Sequence, residues 1–538
     1  MRTRFPLLPL VILGLLFHSC GSIEVDEGPF TIEFDQSGIK GKAAYLNAMS
    51  QTGSDEERPN ILLIIADDLG RDEISLYHPD GLVLPNLSRL ASNGVLFTNA
   101  YSTSSVCSPS RASLMTGRYQ HRFGFERQPM NRYPKGRLEY YVFDRIINTE
   151  PMRLISPLSS PAKTDIEKQG IPPEEVLLPE ILQASGYATG LFGKWHLGFH
   201  EGFLPNERGF DQQYGFYEAF TYYTLPGTKD IISYRHDYFA DKHIWRQKRK
   251  GSCAIRQNDS VIVEKEYLTF SIARQTNEFI EKHAGDDRPF FAYAAFSAPH
   301  TPFKVPLEYY NRYSEVADEN RRIYCGMITA LDDAIGMIID KLEALDELDN
   351  TLILFASDNG GATYTGATVN GDLNAGKMTQ FEGGVNIPCI ISWQDQLPMA
   401  MVYEHPVSLM DFFTTALASA DLPLQTDKTL DGVDLIPYLS ENNETLPHES
   451  LFWRTDFNKS VRYKHWKLIW NARDNQTWLF NLENDKEEKF NLANEHPALV
   501  QTLKTQIQTW EMGLRDPAWP GVMEIRFEIN GDTTWWAI

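Results

Sequence analysis

The chain has 538 residues, 42% of them hydrophobic and 23% charged, with a formal net charge of −22. These fractions describe an ordinary globular protein, long enough for a large α/β core and a smaller second domain. The acidic balance excludes a general nucleic-acid binder, because displacing phosphate counterions needs clustered Lys and Arg; an anionic substrate must instead be drawn in by a local field.

The N-terminus reads as a targeting segment over residues 1–19: Arg2 and Arg4, an apolar run over 7–17, then His18-Ser19-Cys20-Gly21. The run is too short to span a bilayer comfortably and has signal-peptide proportions. Cys20 after a small residue resembles a bacterial lipoprotein cleavage site. It would then carry a lipid anchor to the membrane and place the protein in the cell envelope, in the periplasm or at the cell surface. Phe17 and His18 depart from the usual lipobox, and simple secretion is the alternative; both imply export.

Residues 20–58 are mixed and partly acidic, a tether with a short ordered piece. Residues 60–66 form a continuous apolar run that suits a strand buried on both faces of a parallel sheet, and Asp67-Asp68 stand at its C-terminal end. A helix over 86–92 and a strand over 95–101 follow. Residues 128–170, rich in Pro and Arg, read as irregular loops. A helix over 178–185 and a strand over 188–192 lead to Lys194-Trp195-His196, and 216–250 is aromatic, ending in the basic run Arg246-Gln247-Lys248-Arg249-Lys250. That run is a solvated loop or a contact for a polyanionic substrate. Helix 264–283 precedes strand 289–297 and His300; helix 319–345 precedes strand 351–356 and Asp358-Asn359. This alternation predicts an α/β fold with a doubly wound, mostly parallel sheet flanked by helices over 59–430. From 431 to 538 the pattern changes to strands with tight turns (460–470, 477–482) and a helix over 496–515, a smaller C-terminal α+β domain on an antiparallel sheet.

The chemistry centres on Cys107-Ser108-Pro109-Ser110-Arg111, running on to Thr116-Gly117. Pro109 suits a first helical turn, Ser108 a cap and Gly117 a stop, so Cys107 sits at a helix N-terminus where exposed N–H groups and Arg111 favour an anion. Three readings compete. A buried structural cysteine leaves the surrounding Pro, Ser and Arg without a reason, and a thiolate phosphatase loop needs five residues between Cys and Arg. The third is that CxPSRxxxxTG resembles the signature of the type I sulfatases of the alkaline phosphatase superfamily. That resemblance, which covers most of residues 59–494, implies an alkaline phosphatase-like fold and conversion of Cys107 to formylglycine (3-oxoalanine) by a formylglycine-generating or anaerobic sulfatase-maturating enzyme. With Cys20 and Cys107 so modified, Cys253, Cys325 and Cys389 remain, enough for at most one disulfide.

The polar groups of interest all follow apolar strands, and in an open α/β sheet one crevice beyond the strand ends collects them. Asp67, Asp68, Asp358 and Asn359 offer oxygen ligands alone, which select a hard divalent cation. The resemblance makes them calcium ligands, with Mg2+ as the alternative and the modified Cys107 side chain completing the set. It further implies that the metal and Asp358 activate one hydroxyl of the hydrated aldehyde for in-line attack on sulfur. Arg111 and Lys194 hold the hydrate and the sulfate charge, and His300 and Lys377 bind sulfate and assist the leaving oxygen. His196 takes the second hydroxyl's proton so that sulfate departs as the aldehyde re-forms. Trp453 and Arg454 are candidate substrate contacts from the C-terminal domain. The expected activity is hydrolysis of sulfate monoesters on a carbohydrate, an oligosaccharide or polysaccharide fragment. A phosphonate or phosphodiester hydrolase on the same fold, and a catalytically dead lipid-anchored glycan-binding protein, are the alternatives.

Overall fold

The computed structural model describes residues 31–51, 58–131, 133, 137–147, 149–155, 162–286, 288–439, 443 and 445–538. Cys20 and the targeting segment lie outside them. The segment read as a tether carries helix α1 (Gln36–Met49), capped by the Asp35 carboxylate and docked on the body through Lys42, whose Nζ lies 2.6 Å from Glu180 Oε1.

Strand β1 (Asn60–Asp67) is buried along its whole length. Side chains alternate across a strand, so Ile61, Leu63 and Ile65 enter the core on one face of the sheet, and Leu62, Ile64 and Ala66 enter the core on the other. Helix α2 (Pro85–Ser92), strand β2 (Val95–Phe97) and helix α3 (Cys107–Thr116) follow. The segment expected to be irregular contains strand β3 (Met152–Leu154). Then come β4 (Ala188–Lys194), β5 (Gln212–Phe216), α4 (Leu268–His283), β6 (Phe290–Pro299), α5 (Glu319–Ala344), β7 (Thr351–Ser357) and β8 (Cys389–Ser392).

Among the described residues β1, β2 and β4 to β8, with the short strands Arg256–Gln257, Ser260–Val261 and Met401–Tyr403, build a ten-stranded sheet whose centre runs β7-β1-β6-β4-β5, all parallel. Strand β8 is antiparallel to both β7 and β2. Parallel neighbours align their C-terminal ends, so the polar residues after β1, β4, β6 and β7 emerge along one edge.

The C-terminal part holds an antiparallel sheet of β9 (Ser450–Thr455), β10 (Asn458–Tyr463), β11 (Trp466–Asn471) and β12 (Gln476–Asn481). Helix α6 (Pro497–Glu511) covers it, with Leu503 and Ile507 packed on Val461, Leu468 and Leu479. The run 460–470 is thus two strands and a tight turn rather than one strand. A final hairpin, β13 (Met523–Ile529) and β14 (Asp532–Ala537), pairs back onto β3. Nothing in the local sequence announces this sheet: β3 is three residues long and its partner is far away in the chain.

Candidate active site

Ten residues singled out in the sequence converge beyond the strand ends: Asp67, Asp68, Cys107, Arg111, Lys194, His196, His300, Asp358, Asn359 and Lys377, all buried. Backbone geometry aims several of them. Asp68 and His196 leave their strands in the left-handed region, at φ 65° and 60°, and Met378, in the loop beside Lys377, takes the same conformation at φ 76°. Such conformations concentrate where surrounding structure over-determines a functional loop. The Lys377 loop is docked by backbone hydrogen bonds from Lys377 N to Gly361 O (2.9 Å) and from Met378 N to Ser105 O (2.8 Å). Gly360 permits this approach, since a Cβ there would lie 1.9 Å from Gly383 O.

Helix α3 places Cys107 at its first position and ends at Gly117 in the left-handed conformation, as expected. The cap is different: Val106 precedes the helix without a side-chain bond, and the Ser108 hydroxyl instead donates to the His196 carbonyl at 2.5 Å. Ser108 therefore ties the cysteine's helix to the loop of His196.

Cys107 Sγ lies 3.3 Å from Asp67 Oδ1 and 3.6 Å from Asp68 Oδ1, and receives Lys377 Nζ at 3.2 Å. Lys194 Nζ donates to both oxygens of Asp67 at 2.9 and 2.8 Å. Lys377 Nζ donates to Asp68 Oδ2 at 2.8 Å, and Arg111 Nε to Asp358 Oδ2 at 2.7 Å. Asn359 Nδ2 donates to Asp68 Oδ1 at 2.8 Å. Three carboxylates and three fixed cations share one dry volume, so each depends on the others for its charge.

The titration behaviour follows. Burial alone would raise the Asp68 carboxyl, but Lys377, His300 and Lys194 hold it well below the usual range. Burial disfavours the Lys377 ammonium, yet Asp68 and Cys107 keep it charged far above the ordinary lysine value. Burial and Asp358 push the Cys107 thiol well up, so as a plain cysteine it is a poor thiolate. Burial and the cation Lys194 hold His196 neutral. Burial and Lys377 outweigh Asp68 at His300, down to about 3. His300 Nδ1 lies 2.6 Å from the Thr301 carbonyl, which can only accept, so Nδ1 carries the hydrogen and Nε2, 3.6 Å from Asp68 Oδ2, carries the lone pair.

Several buried polar atoms here have no hydrogen-bond partner among the described residues: Arg111 Nη2, Asn359 Oδ1 and both ring nitrogens of His196. Orphans this deep point to a ligand. Ligand atoms of Asp67, Asp68, Cys107 and His300 all lie within 4.8 Å of one another, close enough to share a metal ion. The Asp67, Asp68, Asp358 and Asn359 oxygens, with Asn359 Oδ1 unpartnered, are the donor set a hard cation requires, whereas His300 Nδ1 is committed to a backbone carbonyl.

His196, His300 and Lys377 form part of the wall of a cleft of about 1130 Å³. Its sides come from the segment around β3, from the aromatic 216–250 region and from the chain's last residues, including Met523 and Ile538. Trp453 and Arg454 are not in it. Strand β9 packs on the body, so Trp453 is buried with Nε1 donating to Ser102 O at 2.7 Å, and Arg454 is clamped on Glu126 Oε2 at 2.9 and 2.7 Å. They are interface anchors. Of the basic run, Lys250 lines the cleft and Arg249 is held by the carbonyls of Tyr222 and Glu264. Sequence reasoning missed Tyr238, Tyr364 and Glu218, which also line it. Tyr364 lies between Asn359 and Lys377 in sequence, and that position was the available signal.

The family model described as Sulfatase matches residues 59–422. The chain belongs to the sulfatase family. It is similar to the N-acetylgalactosamine-6-sulfatase of Canis lupus familiaris, 32% identical over 383 residues that cover 70% of this chain and 65% of that protein. The chain thus spans just under two thirds of that relative's length. It is also similar to the arylsulfatase A of Homo sapiens, 31% identical over 422 residues, covering 75% of this chain and 72% of that one. Among solved structures it is similar to Ps i-CgsB in complex with k-i-k-neocarrahexaose, with TM-score 0.71 and 28% identity, covering 86% of this chain and 95% of that chain. The sulfatase match ends before β9, so the final strands that wall the cleft lie beyond it.

Proposed function

We propose that this protein hydrolyses sulfate monoesters on a carbohydrate, with residue 107 matured to formylglycine and a calcium ion held by Asp67, Asp68, Asp358 and Asn359. The observation that carries this reading is the buried cluster of Cys107 with Asp67, Asp68 and Lys377, beside a cleft larger than a single sugar needs that Lys377, His196 and His300 help to line. There three fixed cations balance three carboxylates, and a bound divalent cation would add the net positive field that the acidic chain lacks as a whole.

Calcium at the carboxylates would supply Lewis acidity and charge neutralisation, with magnesium as the alternative. Formylglycine at 107 would supply, as its hydrate, an oxygen nucleophile with a second hydroxyl, which neither a thiol nor a serine has. The chain's own groups do the rest. Arg111, fixed through Asp358, presents Nη2 to an anionic oxygen. Lys194 and Lys377 hold the sulfuryl charge, and Lys377, kept protonated by Asp68, donates to the departing ester oxygen. His196, neutral and free at both nitrogens, accepts the proton from the residue 107 side chain. His300, its ring fixed by the Nδ1–H bond to Thr301, takes a proton at Nε2 when the sulfate anion binds and donates it to an ester oxygen.

We assign residues 1–19 to an export signal, Cys20 to a lipid anchor in a bacterial cell envelope, 20–58 to a tether, 59–430 to the catalytic domain and 431–538 to the C-terminal subdomain. Among the described residues no helix is long and apolar enough to cross a membrane. The test is a screen of defined sulfated oligosaccharides with protein whose residue 107 conversion is verified by mass spectrometry, reading released sulfate. Release from at least one sugar sulfate supports the proposal; binding without turnover by fully converted protein overturns it.

A further inference from the structure

The cleft carries a second kind of group besides its cations. Tyr293, Tyr223 and Tyr324, buried around the reaction centre, each have a bonded hydroxyl. Tyr293 receives Arg111 Nη1 at 3.3 Å, Tyr223 donates to the carbonyls of Ser297 and His300 at 2.6 and 2.8 Å, and Tyr324 donates to Asp68 O at 3.2 Å. Those three are structural. Tyr364 and Tyr238 differ: both line the cleft, and their hydroxyls have no hydrogen-bond partner among the described residues.

Their placement is fixed by the backbone. Tyr364 is the middle residue of a single turn, Thr363–Thr365, whose last carbonyl accepts from His236 Nε2 at 2.9 Å and Asn320 Nδ2 at 2.8 Å. The same loop bonds to the Lys377 amide through Gly361 O. The Tyr364 ring packs against the cluster of Val106 and Met378, the immediate neighbours of Cys107 and Lys377, and Tyr238 meets it edge-on with centroids 5.9 Å apart at 75°. Lys377 and Asp68 are the charged groups that act on its hydroxyl most strongly. A rigid aromatic wall with free hydroxyls, set beside the proton donor of the proposed reaction, matches a neutral ring that presents both C–H faces and hydroxyls.

Building on the sulfatase reading, we propose that Tyr364, braced by Tyr238, grips the sugar ring that bears the sulfate, its hydroxyl bonding to a hydroxyl of that ring. The pair is then a specificity element for a pyranose leaving group, with no role in holding the sulfate itself.

The experiment compares matured wild type, Tyr364→Phe and Tyr238→Phe on 4-nitrophenyl sulfate, on a chondroitin 6-sulfate disaccharide and on a neocarrabiose sulfate, with calorimetric titration of each saccharide in parallel. Tyr364→Phe should lose about tenfold in kcat/KM and in affinity on whichever saccharide the wild type accepts, the effect of one ligand hydrogen bond, while aryl sulfate turnover stays within about twofold. Tyr238→Phe, which keeps the bracing ring, should stay within about twofold of wild type on every substrate. For Tyr364→Phe, equal losses on aryl and sugar esters or no loss on either, or no saccharide binding by wild type, would overturn the inference. Wild type that binds a saccharide yet cleaves no sulfate ester defeats the sulfatase reading, and the binding ratio of Tyr364→Phe to wild type still decides this one.

Discussion

Two of the clusters of buried carboxylate and lysine among the described residues are built to opposite ends. In one, Asp67, Asp68 and Asp358 face Lys194, Lys377 and Arg111, with unpartnered atoms on Arg111, Asn359 and His196 and a cleft alongside. In the other, Lys467 on β11 lies 2.6 Å from Glu382 and 3.1 Å from Glu488, while Tyr101 and Asn386 both donate to Glu382 at 2.8 Å. Glu382 follows the Lys377 loop, and the Glu488 carbonyl accepts from Asn374 within it, so this second cluster fastens the C-terminal sheet to the loop that carries Lys377. The same side chains thus serve chemistry where a cleft and orphaned atoms admit a ligand, and architecture where the partners are protein.

Substitutions separate the two roles. Cys107→Ala should abolish sulfate ester turnover by more than about 10³-fold with the melting temperature unchanged, because it removes the nucleophile and no charge pair. His196→Gln should cost about 10²–10⁴-fold in kcat, the range for a lost general base, with substrate affinity retained. Equal loss of affinity would make His196 a binding group. Lys467→Met should act the other way, lowering unfolding free energy by about 3–5 kcal/mol in denaturant titration, since it strands buried carboxylates. Activity per folded molecule should fall much less. A Lys467→Met protein that is stable yet inactive would erase the distinction between the clusters.

A further prediction concerns pH. Burial, with the neighbouring Glu382 adding to it, pushes the Glu488 carboxyl from 4.5 up to about 8, against the pull of Lys467. Burial acts on Glu382 in the same direction, but Lys467 and Arg462 hold it down to about 2. A carboxyl whose folded value is raised contributes stability that is complete below its unfolded value and is lost as pH climbs through the folded one. Wild type should therefore lose melting temperature between pH 4.5 and about pH 8 from this group, and Glu488→Gln should flatten that slope. An unchanged slope would remove Glu488 from the account.

The parallel core was legible because β1, β6 and β7 are continuous apolar runs ending in acidic, Pro-His or Asp-Asn residues. Seven residues of the candidate site were legible for the same reason, since Asp67, Asp68, Lys194, His196, His300, Asp358 and Asn359 sit at or just after strand ends that the topology brings together, whereas Cys107 and Arg111 on α3 and Lys377 in its loop were found by motif alone. What escaped was non-local. Residues 152–154 become a strand only by pairing with 523–525, which lies outside any local window. Lys467 within Trp-Lys-Leu-Ile-Trp-Asn reads as a solvent-facing strand residue, and nothing nearby in sequence reveals the two carboxylates that bury it. Trp453 and Arg454 have the composition of a binding surface, and the contact of β9 with the body converts them into an interface.

The most direct test of the central claim is the turnover of matched aryl sulfate and aryl phosphate esters by protein samples that differ in the fraction of residue 107 converted, quantified by intact mass. Sulfate release rising in proportion to the converted fraction, with the phosphate ester the poorer substrate, is the predicted result. Turnover independent of conversion, or a preference for the phosphate ester, would contradict it.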